Sequence, residues 1–235
     1  MNGRIFIKRG TKVIGTSAYD GWEDINAICM PEGVRSINDY AFNECLNLRE
    51  VRFPKRTLKE IGEQAFFHTG LTEIKIPDSV EFIDRRAFLF NSELRYVHIG
   101  KNVQYIGPGA FSACPNLERI TVDPNNSYFY AENGCLIEKK YKKLIVSCYP
   151  YVVPEGVEII GRQCFIWLTN CECVTLPKSV KQIYVRENEV SNFKICFNID
   201  ETGKHKTKRL FTIVAPKDSY SERFAKEHDI NFEEV

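Results

Sequence analysis

Apolar residues return along this chain with a period near 23, and polar residues fill the intervals in a repeating order. The pair Ala-Phe stands at Ala41-Phe42, Ala65-Phe66, Ala87-Phe88 and Ala110-Phe111, in steps of 24, 22 and 23 residues. An isoleucine precedes each alanine by four positions, at Ile37, Ile61, Ile83 and Ile106, with Val34, Leu58, Val80 and Val103 upstream of these. Earlier still come Pro31, Pro54 and Pro77, with Gly100 in the fourth slot. The same positions extend back to Ile14-Gly15 and Ala18-Tyr19. They return at Pro154, Val157, Ile160-Gly161 and Cys164-Phe165, then at Pro177, Val180 and Ile183. The spacing predicts about seven coils.

A unit of this length cannot bury its apolar face alone, so neighbouring units must stack and share a core, which is a repeat solenoid. Each unit opens on a Leu-x-x-Val-x-Ile-Pro pattern, as in Leu71-Thr-Glu-Ile74-Lys-Ile76-Pro77. Its period of two predicts a short strand with both aliphatics inward. Copies of that strand run parallel, about 4.8 Å apart, and the proline ends the pairing. Ala-Phe falls on the return side, the alanine where coils approach closely and the phenylalanine in the core. Gly62, Gly107 and Gly161 are expected to relieve a tight turn after the isoleucine. Asn38 and Asp84 hold that slot elsewhere, and both residue types tolerate left-handed backbone.

The phase slips once, since Pro154 follows Gly100 by 54 residues. Asp123-Pro124-Asn125-Asn126-Ser127 is turn chemistry. Beyond it, 134–138 and 144–147 flank Lys139-Lys-Tyr-Lys-Lys143, which reads as a β-hairpin. Both ends read as caps, because the end strands of a parallel stack expose unpaired backbone. Ile5-Phe6-Ile7 and Lys12-Val13-Ile14 around Arg9-Gly10 suggest an N-terminal hairpin. Near the other end, Phe193–Ile199 and Leu210–Val214 surround a polar loop. Ser219-Tyr-Ser-Glu222 then forms a capping box for a short helix through about His228, with Tyr220 and Phe224 as its apolar pair. The expectation is a single domain over 1–235: a cap hairpin at 1–13, repeats at 14–123, an inserted hairpin at 124–153, repeats at 154–187 and a C-terminal cap at 188–235.

The unit Leu94-x-x-Val97-x-Ile99-Gly-x-x-Val103-x-x-Ile106-Gly107-x-x-Ala110-Phe111-x-x-Cys114-x-x-Leu117 resembles the BspA-like (Treponema pallidum-type) class of leucine-rich repeat, over roughly residues 14–235. The resemblance implies a right-handed leucine-rich-repeat superhelix. It would be mostly β with short helical turns, a parallel sheet on one face, one inserted hairpin and terminal caps. It also implies a role in adhesion or protein binding, as is associated with this family in bacteria. Against the family pattern, His68 and Phe90 are taken to occupy the cysteine slot in two repeats, and Cys164 occupies the alanine slot in another.

Composition narrows the remaining classes. Over 235 residues, 43% hydrophobic and 27% charged side chains suit a packed core. A net charge of +1 removes any global electrostatic case for nucleic acid or a membrane surface. No stretch approaches the ~18 unbroken apolar residues of a bilayer helix, and Met1–Arg9 lacks a signal-peptide core. Nine cysteines, an odd number, point to reduced thiols. A cytoplasmic location follows for the chain as written, whereas the family resemblance implies the cell surface or secretion if a leader has been trimmed. The Asn125-Asn126-Ser127 sequon decides nothing.

Catalytic chemistry is hard to assemble. His68, His98, His205 and His228 fall in different registers and elements, away from a Ser or Cys partner. Gly107-Pro-Gly109-Ala-Phe-Ser lacks the final glycine of a phosphate loop and reads as a repeat turn. Cys171-Glu-Cys173 fits neither a zinc half-site nor a redox Cys-x-x-Cys. Alternation would still point both thiols one way, so a metal or vicinal disulfide stands beside simple packing. Cys45 and Cys114 read as small buried hydrophobes, inert because buried. Lys204-His205-Lys206-Thr207-Lys208-Arg209 could attract phosphates, yet no aromatic platform interleaves it and acidic Asp200-Glu201 adjoins it, so it reads as a solvated hairpin tip.

On the strand face the outward columns read Cys29, Arg52, Lys75, His98, Thr121 and Ala27, Glu50, Glu73, Tyr96, Arg119. One reading is a solvated face laced with ion pairs; the sharper one is a partner-binding strip of Arg52, Lys75, Tyr96, His98 and Arg119, since Tyr and Arg are common anchors. The function expected is a non-catalytic protein-binding scaffold for adhesion or protein–protein interaction. It would have an unidentified protein ligand, no nucleic acid, no membrane insertion, no cofactor or metal, and would be a monomer or weak oligomer. The alternatives are an intracellular adaptor or effector, an enzyme or metal site near Cys171 and Cys173, and a structural spacer within a longer polypeptide.

Overall fold

Two stretches of each repeat alternate polar with aliphatic residues, and in this computed structural model each becomes a short strand. Described are residues 3–165, 171–184, 195–199, 205–210 and 212–235, in two compact units, Met1–Tyr130 and Ala131–Val235. In the first unit the opening stretch gives β1 (Arg4–Phe6), β3 (Ala27–Cys29), β5 (Glu50–Arg52), β7 (Glu73–Lys75), β9 (Tyr96–Ile99) and β11 (Arg119–Val122). The stretch ending on the isoleucine before Ala-Phe gives β2 (Val13–Ile14), β4 (Ser36–Ile37), β6 (Glu60–Ile61), β8 (Phe82–Ile83) and β10 (Tyr105–Ile106).

The second set forms an unbroken parallel sheet, with Ile14, Ile37, Ile61, Ile83 and Ile106 as partners on successive rungs. The chain therefore builds a parallel β-solenoid, and with two sheets in this unit where one was expected. The N-terminal hairpin does not form. β1 instead pairs parallel with β3 and β2 with β4, setting Ile5 beside Ile28 and Ile14 beside Ile37. A two-stranded hairpin has no comparable surface to bury.

The first sheet is split into β1-β3-β5 and β11-β9-β7. Lys55-Arg56-Thr57 makes the Pro54–Leu58 interval one residue longer than its counterparts, while Thr69-Gly70-Leu71 is one shorter than Cys45–Leu48. The changes cancel, so β6 stays in register with β4 and β8, and the ladder opens only between β5 and β7. Val51 and Phe53 are left half-buried where Ile28 and Ile74 are buried.

On the return side the rings of Tyr19, Phe42, Phe66, Phe88 and Phe111 stack at 5.1, 5.1, 5.3 and 5.2 Å between centroids. Beside them the N–H of Tyr19, Phe42, Phe66 and Phe88 donates to the carbonyl of Ala41, Ala65, Ala87 and Ala110, each at 2.8 Å. Left-handed backbone recurs in two columns, Ser17, Tyr40, Gln64, Arg86, Gly109 and Gly21, Glu44, His68, Phe90, Ala113. This corrects two expectations. The glycine slot is not the left-handed position, which lies two residues later. His68 and Phe90 are not in the cysteine slot but one residue before it, and Thr69 and Asn91 fill it.

What Gly62 and Gly107 provide is close approach. A Cβ on Gly62 meets Asp39 N at 2.7 Å, and one on Gly107 meets Arg85 N at 2.4 Å. Down the column Gly15, Asn38, Gly62, Asp84 and Gly107 alternate glycine with a side chain. Gly107→Ala is expected to lower stability by about 1–3 kcal/mol, since the rigid neighbour is backbone. Gly15→Ala, where a Cβ meets nothing within 4 Å, should be near neutral in the same urea titration. Equal effects would contradict the close-approach account.

β12 (Phe129–Glu132) runs across the division between units. In the second unit β13 (Cys135–Glu138) and β14 (Lys143–Ser147) form an antiparallel hairpin. β14 also pairs parallel with β15 (Ile159–Ile160), which pairs with β17 (Gln182–Ile183). The hairpin is thus a rung and not a decoration: within this unit Leu144, Ile160 and Ile183 form one buried column. β16 (Cys173–Thr175), β20 (Thr212–Ala215) and β21 (Asn231–Glu234) form a parallel sheet, so the segment expected to be only a cap adds two rungs. Helix α1 (Tyr220–Glu227) starts as expected: Ser219 accepts from Glu222 N at 3.2 Å, and Tyr220 stacks on Phe224 at 6.4 Å.

β18 (Ile195–Ile199) and β19 (His205–Leu210) pair antiparallel. The basic segment, expected as a hairpin tip, is therefore mostly strand, because its alternation gives Ile195–Ile199 a pairing partner. Lys204 and the side chains of this hairpin lie outside the described residues.

Candidate functional site

Inward packing of Val97 and Ile99 turns Tyr96 and His98 of β9 to solvent. Register then places Glu73 and Arg119 beside Tyr96, and Lys75 and Thr121 beside His98. These residues line a shallow concavity of about 200 Å³. The Tyr96 hydroxyl donates to Glu118 at 2.9 Å, and this bond to the carboxylate raises the phenol's pKa. Glu118 also takes Arg95 at 2.9 Å. His98 Nδ1 lies 3.0 Å from Thr121 Oγ1. Lys75 and Arg119 make no ion pair among the described residues, so two cations and a ring that is 42% exposed face solvent on rigid strands.

Arg52 stands apart from this group. It lies on β5, across the open ladder, and its Nε sits 2.5 Å from Glu50, which also binds Arg4 at 2.9 Å. The expected stacking of Arg52 over Lys75 does not occur, because β5 and β7 do not pair. Four of the five strip residues come together and the fifth belongs to an ion-pair cluster.

The thiols behave as burial dictates. Cys45, Cys114 and Cys135 are pushed up to about 11, 12 and 11, and Cys164 is raised further, with burial the leading cause each time. Cys171 is buried, its Sγ donating to Cys173 O at 3.2 Å, whereas Cys173 is exposed. The two thiols therefore do not face one way as expected: strand alternation begins only at Cys173. Among the described residues no group of three His, Cys, Asp or Glu is placed to hold a metal ion. His68 sits in a left-handed turn and His228 caps α1, far apart in sequence and in different units. No described helix is long and apolar enough to cross a membrane.

The larger concavity lies elsewhere, about 440 Å³ along the outer face of the second sheet, with Glu60, Phe82 and Tyr105 in its lining. Reading only the Val-x-Ile columns misses it. The signal was present one residue before each repeat isoleucine: Val13, Ser36, Glu60, Phe82, Tyr105.

A family model described as BspA type leucine rich repeat region matches in six copies, over residues 12–134 and 145–209. Among solved structures, a leucine-rich repeat protein from Eubacterium ventriosum superposes with a TM-score of 0.70 at 20% identity, covering 92% of this chain and 55% of that one. The pneumococcal vaccine antigen PcpA gives 0.59 at 18% identity, covering 77% of this chain and 56% of its own. A Treponema pallidum leucine-rich repeat protein gives 0.52 at 18% identity, covering 99% and 86%. The chain spans little more than half the length of the first two, and at these identities the likeness shows the fold alone. Among curated proteins, none matches.

Proposed function

We propose that this chain, which belongs to the BspA type leucine-rich repeat family, is a non-catalytic scaffold that binds another protein through the outer face of β7, β9 and β11. One observation carries the reading. Lys75, Tyr96, His98 and Arg119 surround one shallow concavity, which Glu73 also lines, and neither Lys75 nor Arg119 makes an ion pair among the described residues. An exposed tyrosine beside free cations, on strands whose inner side chains are locked in a core, loses little entropy on binding. Such residues are the usual anchors of protein interfaces. The cations select a partner segment carrying carboxylates. Adhesion is the role that fits best, because the structural neighbours are bacterial repeat proteins and one of them is a vaccine antigen.

The test is substitution at the centre of the strip, read against a captured and purified partner. Tyr96→Ala and Arg119→Ala are each expected to weaken its binding about tenfold or more, with unchanged circular dichroism. A double variant that binds as the parent does would remove this face from the function.

A further inference from the structure

We propose a second docking surface, independent of the strip: the outer face of the β2–β10 sheet binds an extended basic segment of a protein, seating an arginine or lysine side chain against Phe82, Tyr105 and Glu60. Register makes Glu60, Phe82 and Tyr105 neighbours on three successive rungs. Phe82 is 41% and Tyr105 46% exposed, although each precedes a buried isoleucine on a rigid strand. Two aromatic rings side by side on a solvated sheet face are an unpartnered apolar surface, and here they border the concavity of about 440 Å³.

Charge decides the occupant. The ionisable side chains lining that hollow, besides the Tyr105 phenol, are the carboxylates Asp39, Glu60 and Asp84; no lysine, arginine or histidine lines it. Of the cations that directly adjoin these lining residues in the chain, Lys59 pairs with Glu81 at 2.5 Å and Arg85 with Glu63 at 2.6 Å. Asp39 and Asp84 accept backbone N–H bonds from Glu63 and Arg85. The Glu60 side chain has no hydrogen bond or ion pair among the described residues. A cation lying over an aromatic face gains from the ring quadrupole, and a carboxylate one rung away adds an ion pair to the same group. An acidic segment would meet three carboxylates. A neutral ligand would use the rings and leave the negative field unanswered, so complementarity favours a basic segment.

The test uses fluorescence anisotropy with a short labelled peptide alternating arginine and threonine, and a glutamate–threonine peptide as its control. The basic peptide should bind, and added salt should weaken its complex; the acidic peptide should gain nothing from this face, so any binding it shows at the Lys75–Arg119 strip should be unchanged by Glu60→Gln and Phe82→Ala. Glu60→Gln and Phe82→Ala should each weaken it about three- to tenfold. Tyr96→Ala should leave it unchanged, which separates this surface from the strip. Both Glu60 and Phe82 are exposed, so the variants are expected to keep the parent melting curve, and Glu60→Lys serves as a second variant that reverses the charge, where Glu60→Gln only removes it. The proposal is overturned if the basic peptide fails to bind, if Glu60→Gln and Phe82→Ala weaken the acidic peptide as much as the basic one, or if neither Glu60 variant weakens binding of the basic peptide. Preference for a neutral oligosaccharide that ignores salt and Glu60→Gln would overturn it as well.

Discussion

Phe88→Ala is expected to cost about 4 kcal/mol, through a large fall in the urea midpoint of the unit that contains it. Phe88 is fully buried, and its ring lies between Phe66 at 5.3 Å and Phe111 at 5.2 Å, within 2° of parallel to each. Removing the ring leaves a cavity bounded by side chains that are themselves fixed by stacking, so collapse is limited; losses of ~3–5 kcal/mol are usual for such sites. The two ring contacts add ~0.5–1.5 kcal/mol each beyond area, not independently of that cavity. Energetics in a solenoid run between neighbours, so position along the stack should matter. Tyr19→Ala, at a half-buried place with the 46% exposed Trp22 as its other neighbour, should cost distinctly less. Equal losses at Phe88 and Tyr19 would mean that stacking does not carry this core.

Asn91→Leu is expected to be nearly as damaging, about 3–4 kcal/mol, although the replacement is apolar and similar in size. Asn91 is completely buried and its amide is saturated. Nδ2 donates to Phe66 O and Phe88 O, both at 2.8 Å, while Oδ1 accepts from Thr69 N at 3.2 Å and from the Thr69 hydroxyl. Leucine takes the donor from Phe66 O and the acceptor from Thr69 N, and leaves Phe88 O only the Cys114 thiol at 3.4 Å; each unpaired buried group costs ~1–3 kcal/mol. Cys45 and Cys114 fill the same slot, donating to Tyr19 O at 2.9 Å and Phe88 O at 3.4 Å. Cys45, Asn91 and Cys114 thus each reach the carbonyl at the aromatic position of the preceding coil, and Thr69 bonds to Asn91. Asn91→Cys should therefore recover part of the loss, since one thiol replaces one of the amide donors. Chemical denaturation of the three proteins checks this, and an Asn91→Leu variant as stable as the parent would refute it.

The strip and the basic-segment surface differ in how far the sequence exposed them. Tyr96, His98, Lys75 and Arg119 could be set side by side from register alone, because side-chain direction in a strand follows parity. Arg52 could not, since whether two rungs pair depends on a single added residue before Leu58 and a single missing one after Thr69. Phe82 and Tyr105 sat one residue before the repeat isoleucine throughout; what was lacking was the knowledge that this short stretch is a strand. Two-residue strands have no periodicity of their own, and only the neighbouring coils make them a sheet.

From the spacing of Ala-Phe, isoleucine and proline, the stacking of coils and the identity of their buried columns followed directly, because a 23-residue unit has no other way to hide its aliphatic face. The hairpin at 135–147 and the start of α1 were likewise local matters of turn and cap chemistry. Backbone geometry between coils decided the rest: the second sheet, the opened ladder between β5 and β7, the use of Gly62 and Gly107 for close approach, and the recruitment of β1, β14 and β20 as extra rungs. Those features depend on distances between residues about one coil apart in the chain, and such distances exist only after the coils have stacked.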